Sequence, residues 1–165
     1  MSSKAQLQAW GAANIPDWFG VHTADKLPEP SSAPINCSFV LSYGSAAAAP
    51  MHGGSVLHWI AVVKRGAECL YIDPIGNPPD SDAPLLHIKS PGFKRYLRQM
   101  CPAGVRWSHA HLEPYGGKTC GHWSLYCCQA GGGPETEPGA FKWMSHNIQH
   151  NQQLVRQRVV LDASL

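Results

Sequence analysis

The segment from residue 56 to residue 76, VLHWIAVVKRGAECLYIDPIG, constrains the fold more than any other. Two runs rich in β-branched and aromatic residues flank a Lys-Arg-Gly-Ala step, and Gly66 supplies the turn residue, so the pattern predicts a β-hairpin. A turn centred between Arg65 and Gly66 would place His58 opposite Asp73. Opposed side chains share a face, with Cβ atoms about 4.5–5.5 Å apart. An aspartate there fixes the tautomer of an imidazole. A plain surface contact is the alternative, and a one-residue slip would separate the two faces.

Composition limits the remaining choices. The 165 residues suit a single domain, 1–165. The net charge of +2 is too small to indicate nucleic acid by itself. The sequence contains neither an apolar run of about 18 residues nor the apolar core of a secretory signal. We therefore expect a soluble, intracellular protein without a membrane partner, whose six cysteines are free thiols. Because no CxxC pair occurs, we expect no metal site.

Helices and strands are predicted in an order that does not strictly alternate. Hydrophobic periodicity and turn residues predict helices at 3–13, 91–100 and 140–161, a helix from Cys120 onward, and strands at 37–43 and 105–113. Mixed elements of this kind indicate an α+β fold.

The segment 116–128, GGKTCGHWSLYCC, divides its three cysteines by helix position. Thr119 is a suitable N-cap, which makes Cys120 the first helical residue. A thiol there meets unpaired backbone N–H groups and the positive end of the helix dipole, which stabilise a thiolate. Cys127 and Cys128 lie two turns later and are predicted to be small buried hydrophobes. A helix-head cysteine with a histidine and an aspartate is the constellation of a thiol protease.

Four segments, in the same order, resemble the adenovirus endopeptidase (adenain) family, whose catalytic core is shared with the proteases of ubiquitin-like proteins. They are DWFGVHTADKLP at 17–28, GGSVLHWIAVV at 53–63, CLYIDPIG at 69–76 and CGHWSLYCC at 120–128. The resemblance implies a papain-like, adenain-like cysteine protease fold. Its central mixed sheet would be flanked by helices, with the catalytic cysteine at the N-terminus of a buried helix.

The resemblance also implies roles for individual residues. Cys120 would be the nucleophile, His58 the general base and Asp73 the group that orients the histidine. Trp59 would wall the site, and the Cys120 backbone N–H would supply half of an oxyanion hole. The turn at Gly116 and Gly117 lets the backbone approach a substrate closely.

One position departs from the family pattern. The family places a glutamine shortly before the nucleophile as an oxyanion donor, whereas this chain has Glu113 seven positions before Cys120. An ionised carboxylate cannot donate and would repel the oxyanion. Three alternatives remain: Glu113 is protonated, another group (Lys118, Tyr115 or His111) donates, or backbone N–H groups suffice.

The resemblance implies substrates and cofactors as well. The substrates would be viral capsid and core precursors, cut after Gly-Gly or Gly-x-Gly sequences during virion maturation, in the host nucleus and the virion. No cofactor is needed for the chemistry. An activating viral peptide would form a disulfide with Cys101, unless that residue is a lone structural thiol. DNA would bind a basic face, unless that face is only solvated: Lys89, Lys94, Arg95 and Arg98.

Three other functions compete with the viral protease. Asp73 suits a protease of ubiquitin-like modifiers. Glu113 favours a catalytically weak, virion-associated protein of the same fold. A metal-binding protein using His109, His111 and Cys120 is the third alternative.

Overall fold

A computed structural model describes residues 2–43, 58–81, 91–114, 117–131 and 141–165. Within these ranges the elements follow one another as helix α1 (Lys4–Asn14), strands β1 (Trp18–Thr23), β2 (Asn36–Ser42), β3 (Trp59–Arg65) and β4 (Glu68–Ile72), helix α2 (Phe93–Met100), strand β5 (Gly104–Trp107), and helices α3 (Cys120–Ala130) and α4 (Ile148–Arg158). A short 3-10 turn, Pro30–Ser32, joins β1 to β2. The predicted α+β class is confirmed.

The five strands form one mixed sheet whose spatial order follows the chain, β1 to β5. The outer pairs, β1 with β2 and β4 with β5, are parallel, and the inner pairs are antiparallel. Strand β1 was not predicted from the sequence. Its segment WFGVHT shows neither clean alternation nor a continuous apolar run, because β1 lies at the sheet edge and is only partly buried.

Helices cover both faces of the sheet, so the sheet separates two hydrophobic cores. Helices α1, α3 and α4 pack on one face together with the larger core cluster, which includes Val40, Ala61, Ile72, Trp123 and Val155. Helix α2 packs on the other face with Phe39, Ile60, Tyr71, Phe93 and Leu97. In the parts of the chain that the structure describes, no helix is both long and apolar enough to cross a bilayer.

The hairpin forms as predicted, but its register differs by two residues. Arg65 pairs with Glu68 and Ala61 with Ile72, so the loop is Gly66-Ala67. Gly66 has a φ of 60°, as expected for the first central residue of a type II′ turn. The direct opposition of His58 and Asp73 is therefore wrong. Because side chains alternate with a period of two, a two-residue shift keeps both on one face, as diagonal neighbours.

Helix boundaries depend on local capping. Helix α1 begins as predicted, because the Ser3 side chain accepts the Gln6 N–H and the Gln6 side chain accepts the Ser3 N–H. The predicted helix at 140–161 is wrong in its first part: α4 begins at Ile148, where the Asn147 side chain caps it. Residues 132–140 lie outside the described ranges.

Candidate active site

The hairpin brings an imidazole and a carboxylate together at its open end. His58 directly precedes β3 and Asp73 directly follows β4. The His58 Nε2 atom lies 2.7 Å from Asp73 Oδ1, and the two side chains are 7% and 0% exposed. The Ile75 backbone N–H also donates to that oxygen, at 2.9 Å. The predicted contact is therefore present, as a charge-assisted hydrogen bond whenever the imidazole is protonated.

Cys120 faces this pair from the first residue of α3, and it is 6% exposed. Its Sγ atom, a ring nitrogen of His58 and a carboxylate oxygen of Glu113 all lie within 4.8 Å of one another. Because Nε2 bonds to Asp73, the carboxylate sets the orientation in which the ring faces the thiol. Helix α3 is buried in the larger core along most of its length, so the position of the sulfur is set by packing.

A glutamate, and not the predicted threonine, caps the start of α3. The Thr119 side chain makes no capping hydrogen bond. Instead, the Thr119 backbone N–H donates to Glu113 Oε1 at 2.5 Å, and the Thr119 hydroxyl lies 3.2 Å from the same oxygen. The Cys120 N–H lies close enough to this carboxylate to lower its pKa. Thr119 cannot act as the cap because its hydroxyl is committed to the side chains of Glu113 and Gln152. The Glu113 carboxylate therefore lies beside the N–H that is expected to bind an oxyanion.

The loop around Glu113 fits this carboxylate closely. The side chain is 1% exposed. A Cβ atom at Gly117 would lie 2.4 Å from Glu113 Cγ, so the backbone reaches this position only as glycine. Burial raises the pKa of Glu113, opposed by the Thr119 N–H, the charge of His58, the Thr119 hydroxyl and the Cys120 N–H. Gly117 therefore makes room for the Glu113 side chain. Gly116 lies outside the described residues.

Two supporting residues escaped the sequence analysis. Gln152 accepts the Trp123 indole N–H at 2.9 Å and donates to the Leu112 carbonyl at 2.8 Å, which ties α4 to α3 and to the segment before Glu113. A glutamine in the apolar stripe of α4 was the available signal. Tyr43 lies on the other side, with its ring centroid 5.9 Å from that of His58.

Trp59 does not form an exposed wall. It is fully buried, its indole N–H donates to the Ser2 carbonyl at 3.2 Å, and it belongs to the larger core. Successive strand residues point to opposite faces, so Trp59 points away from the face of His58.

The predicted cofactor residues lie away from this site. Cys101 is 1% exposed and interacts with Cys69. A peptide thiol could therefore reach it only if the residues that cover it moved. Exposed side chains of α2 form the basic face and border an open cavity of about 420 Å³: Lys94, Arg95 and Arg98. Lys89 lies outside the described residues. The peptide disulfide and the DNA contact both stay predictions.

The predicted metal ligands do not converge. His109 and His111 are exposed, and neither joins Cys120 in a cluster. Within the described ranges, the only group of three side chains spaced for a metal ion is His58, Glu113 and Cys120.

Comparisons with known proteins give a distant likeness to solved structures. No family model matches the chain, and no curated protein matches it. Among solved structures, the chain is similar to the 1.7 Å structure of ChlaDub1 from Chlamydia trachomatis, with a TM-score of 0.48 and 14% sequence identity. The match covers 78% of this chain and 59% of that one, so the chain spans less than two thirds of that protein.

The local geometry defines a class of site. A sulfur nucleophile at a helix N-terminus, an imidazole beside it and a carboxylate on the far nitrogen of the imidazole form the constellation of cysteine peptidases. Helix α3 and the β3–β4 hairpin, which carry these groups, are adjacent rigid elements of one core.

Proposed function

We propose that the chain is a cysteine endopeptidase in which Cys120, His58 and Asp73 form the catalytic triad. The single observation that carries the proposal is the position of His58, which bonds to Asp73 through Nε2 and lies beside the Cys120 sulfur. A buried carboxylate bonded to one ring nitrogen fixes which nitrogen meets the nucleophile.

The reaction would begin with the transfer of the Cys120 proton to His58. The thiolate then attacks the carbonyl carbon of the scissile bond, and an S–C bond forms. His58 returns the proton to the amide nitrogen, the C–N bond breaks, and the amine leaves. A water molecule, deprotonated by His58, attacks the thioester, and the S–C bond breaks to give the carboxylic acid and the free thiol.

The substrate class follows from two separate features. A carboxylate of aspartate type at position 73 favours ubiquitin-like modifiers, because the resembling proteases of those modifiers use aspartate there. The order of the four resembling segments favours viral precursor proteins. Both substrate classes present glycines before the scissile bond, so we propose cleavage after a Gly-Gly sequence in either case.

Covalent labelling tests the proposal. Purified protein would be incubated with two electrophilic probes, a ubiquitin-like protein whose C-terminal Gly-Gly carries a thiol-reactive group and a viral precursor peptide with the same ending. We expect one adduct, mapped to Cys120 by mass spectrometry and lost in His58→Ala, whereas Cys127→Ala labels normally. The faster probe identifies the substrate class. Labelling spread over all six thiols and indifferent to His58 would contradict the proposal.

Glu113 favours low basal turnover. Its carboxylate lies beside the Cys120 N–H in place of a donor, and one missing oxyanion donor typically costs about 2.7–4 kcal/mol of barrier. Slow labelling with normal stoichiometry would agree with a weak peptidase. An intact fold without any His58-dependent adduct would indicate a virion-associated binding protein instead.

A further inference from the structure

The geometry points to a second use of the same cleft: His58, Glu113 and Cys120 form a binding site for a zinc-like divalent cation, which blocks the nucleophile. This site could not be predicted from sequence spacing, because its three residues come from separate segments without metal-ligand spacing. The consequence for catalysis rests on the proposed peptidase function, whereas the binding itself does not.

The donor set is one that zinc accepts. Zinc takes thiolate, imidazole and carboxylate ligands, and three protein ligands with a water in the fourth position are typical of its open sites. The three donor atoms lie within 4.8 Å of one another, and all three residues are buried. Bond lengths of about 2.0–2.3 Å to a tetrahedral ion require donors about 3.5 Å apart. Side-chain adjustments of an ångström or so therefore close the site.

Charge balance also favours a divalent cation. In their ionised forms, Cys120 and Glu113 place two negative charges among buried residues. A divalent cation cancels both when the imidazole is neutral, which suits a buried location because an unpaired charge there is costly. The Asp73 carboxylate stays bonded to the imidazole and to the Ile75 N–H. Zinc also displaces the thiol proton when it binds.

Hydrogen bonds already orient two of the ligands. His58 Nε2 bonds to Asp73 Oδ1 at 2.7 Å, which fixes the orientation of the imidazole ring beside Cys120 and Glu113. Carboxylate–histidine pairs of this kind orient zinc ligands generally. The Thr119 N–H donates to Glu113 Oε1 at 2.5 Å and holds the carboxylate beside the sulfur. The Gly117 backbone packs closely against the Glu113 side chain.

Glu113 is the residue that makes the site, so Glu113→Gln is the matched test. The amide preserves size and retains an oxygen acceptor, but it removes one negative charge. A cation would then bind two strong donors and leave an unbalanced charge. Gly-Gly probe labelling of the native chain without added metal, and its loss in His58→Ala, reports the proposed peptidase separately.

The experiment is titration of reduced full-length protein with Co²⁺ and Zn²⁺. We expect one ion per chain, a thiolate-to-cobalt charge-transfer band in the near ultraviolet, and displacement of cobalt by zinc. Glu113→Gln should weaken binding at least about 100-fold, and Cys120→Ser should abolish the band. The double variant His109→Ala/His111→Ala should bind as the native chain does. Circular dichroism and thermal melting verify that each variant is folded.

Several outcomes would overturn the inference. They are an absence of stoichiometric binding, native-like binding in Glu113→Gln, and a band that survives in Cys120→Ser. Loss of binding in Cys69→Ser with retention in Cys120→Ser would move the ion to the thiols on the other face of the sheet. Zinc binding with no labelling by either probe would uphold this site and reject the peptidase. Probe labelling at a rate that zinc does not change, together with no metal binding, would reject this site and uphold the peptidase.

Discussion

The two faces of the sheet each bury three cysteines, and only one of the six thiols is placed for nucleophilic chemistry. On the α3 face these are Cys120, Cys127 and Cys128, and on the α2 face Cys37, Cys69 and Cys101. Burial raises the pKa of Cys127 to about 12 and that of Cys37 to about 11. Both therefore remain protonated and inert near neutral pH. Cys127 and Cys37 lie within a helix and a strand, and both are packing residues.

Cys120 differs because it lies where an element begins. The start of α3 brings backbone N–H groups, the His58 ring and the Glu113 carboxylate to one sulfur. On the α2 face, the Lys64 ammonium donates to the carbonyls of Pro34, Ile35 and Gly66 and is thus committed to the backbone. Burial is common to both faces, so the difference in chemistry comes from the helix end and its neighbours.

The largest expected effect contrasts two cysteines of the same helix. Cys120→Ala should lower kcat/KM by at least about 10⁴-fold, because no other group can form the thioester. Cys127→Ala should stay active and lose only stability, measured by urea denaturation. Peptide hydrolysis with a Gly-Gly substrate checks the first effect. Retained hydrolysis in Cys120→Ala would remove the distinction between the two thiols.

The next effect concerns the orientation of His58. Asp73→Asn keeps the shape of the side chain but removes the charge that favours the imidazolium, so kcat should fall roughly 10³-fold, within the range of general acid–base contributions. If Asp73 stabilises the charged imidazole, the acid limb of the pH–rate profile should move to lower pH in the variant. If the substitution only weakens folding, that limb should move to higher pH. An unchanged profile with nearly native kcat would mean that Asp73 is only structural.

A smaller change of opposite sign is expected at Glu113. Glu113→Gln replaces a carboxylate beside the Cys120 N–H with an amide that can donate, so kcat should rise roughly 10²-fold, the worth of one oxyanion donor. KM should change little. Single-turnover kinetics at neutral pH separate the two parameters. If turnover is unchanged here while Lys118→Ala or Tyr115→Phe abolishes it, another residue is the donor.

The sequence predicted the parts of this site that depend on local pattern. The parity of strand residues placed His58 and Asp73 on one face even though the register was wrong by two residues. The helix start at Cys120 followed from its flanking residues. The replacement of the Thr119 cap by Glu113, and the contact of Gln152 with both elements, depend on loop closure and helix docking. Neither leaves a periodic trace in the sequence.

The smallest effect is a pH dependence of stability on the α3 face. The pKa of Cys127 is about 12 in the folded protein, against an ordinary value of 9.0. The unfolded chain therefore loses this proton first, and the stabilisation present below about pH 9 declines as the pH rises toward 12. Between pH 9 and pH 10.5 the contribution lost is about 2 kcal/mol.

Urea denaturation of reduced protein at both pH values, for the native chain and Cys127→Ala, measures this loss. The fall in the free energy of unfolding should be about 2 kcal/mol smaller in the variant. Each protein is compared with itself, so the cavity left by the missing sulfur cancels. Cys37→Ala on the α2 face is the matched comparison and should flatten the dependence by nearly as much, because the Cys37 pKa of about 11 also lies above pH 10.5. Equal slopes in all three proteins would show that burial of these thiols does not set their ionisation.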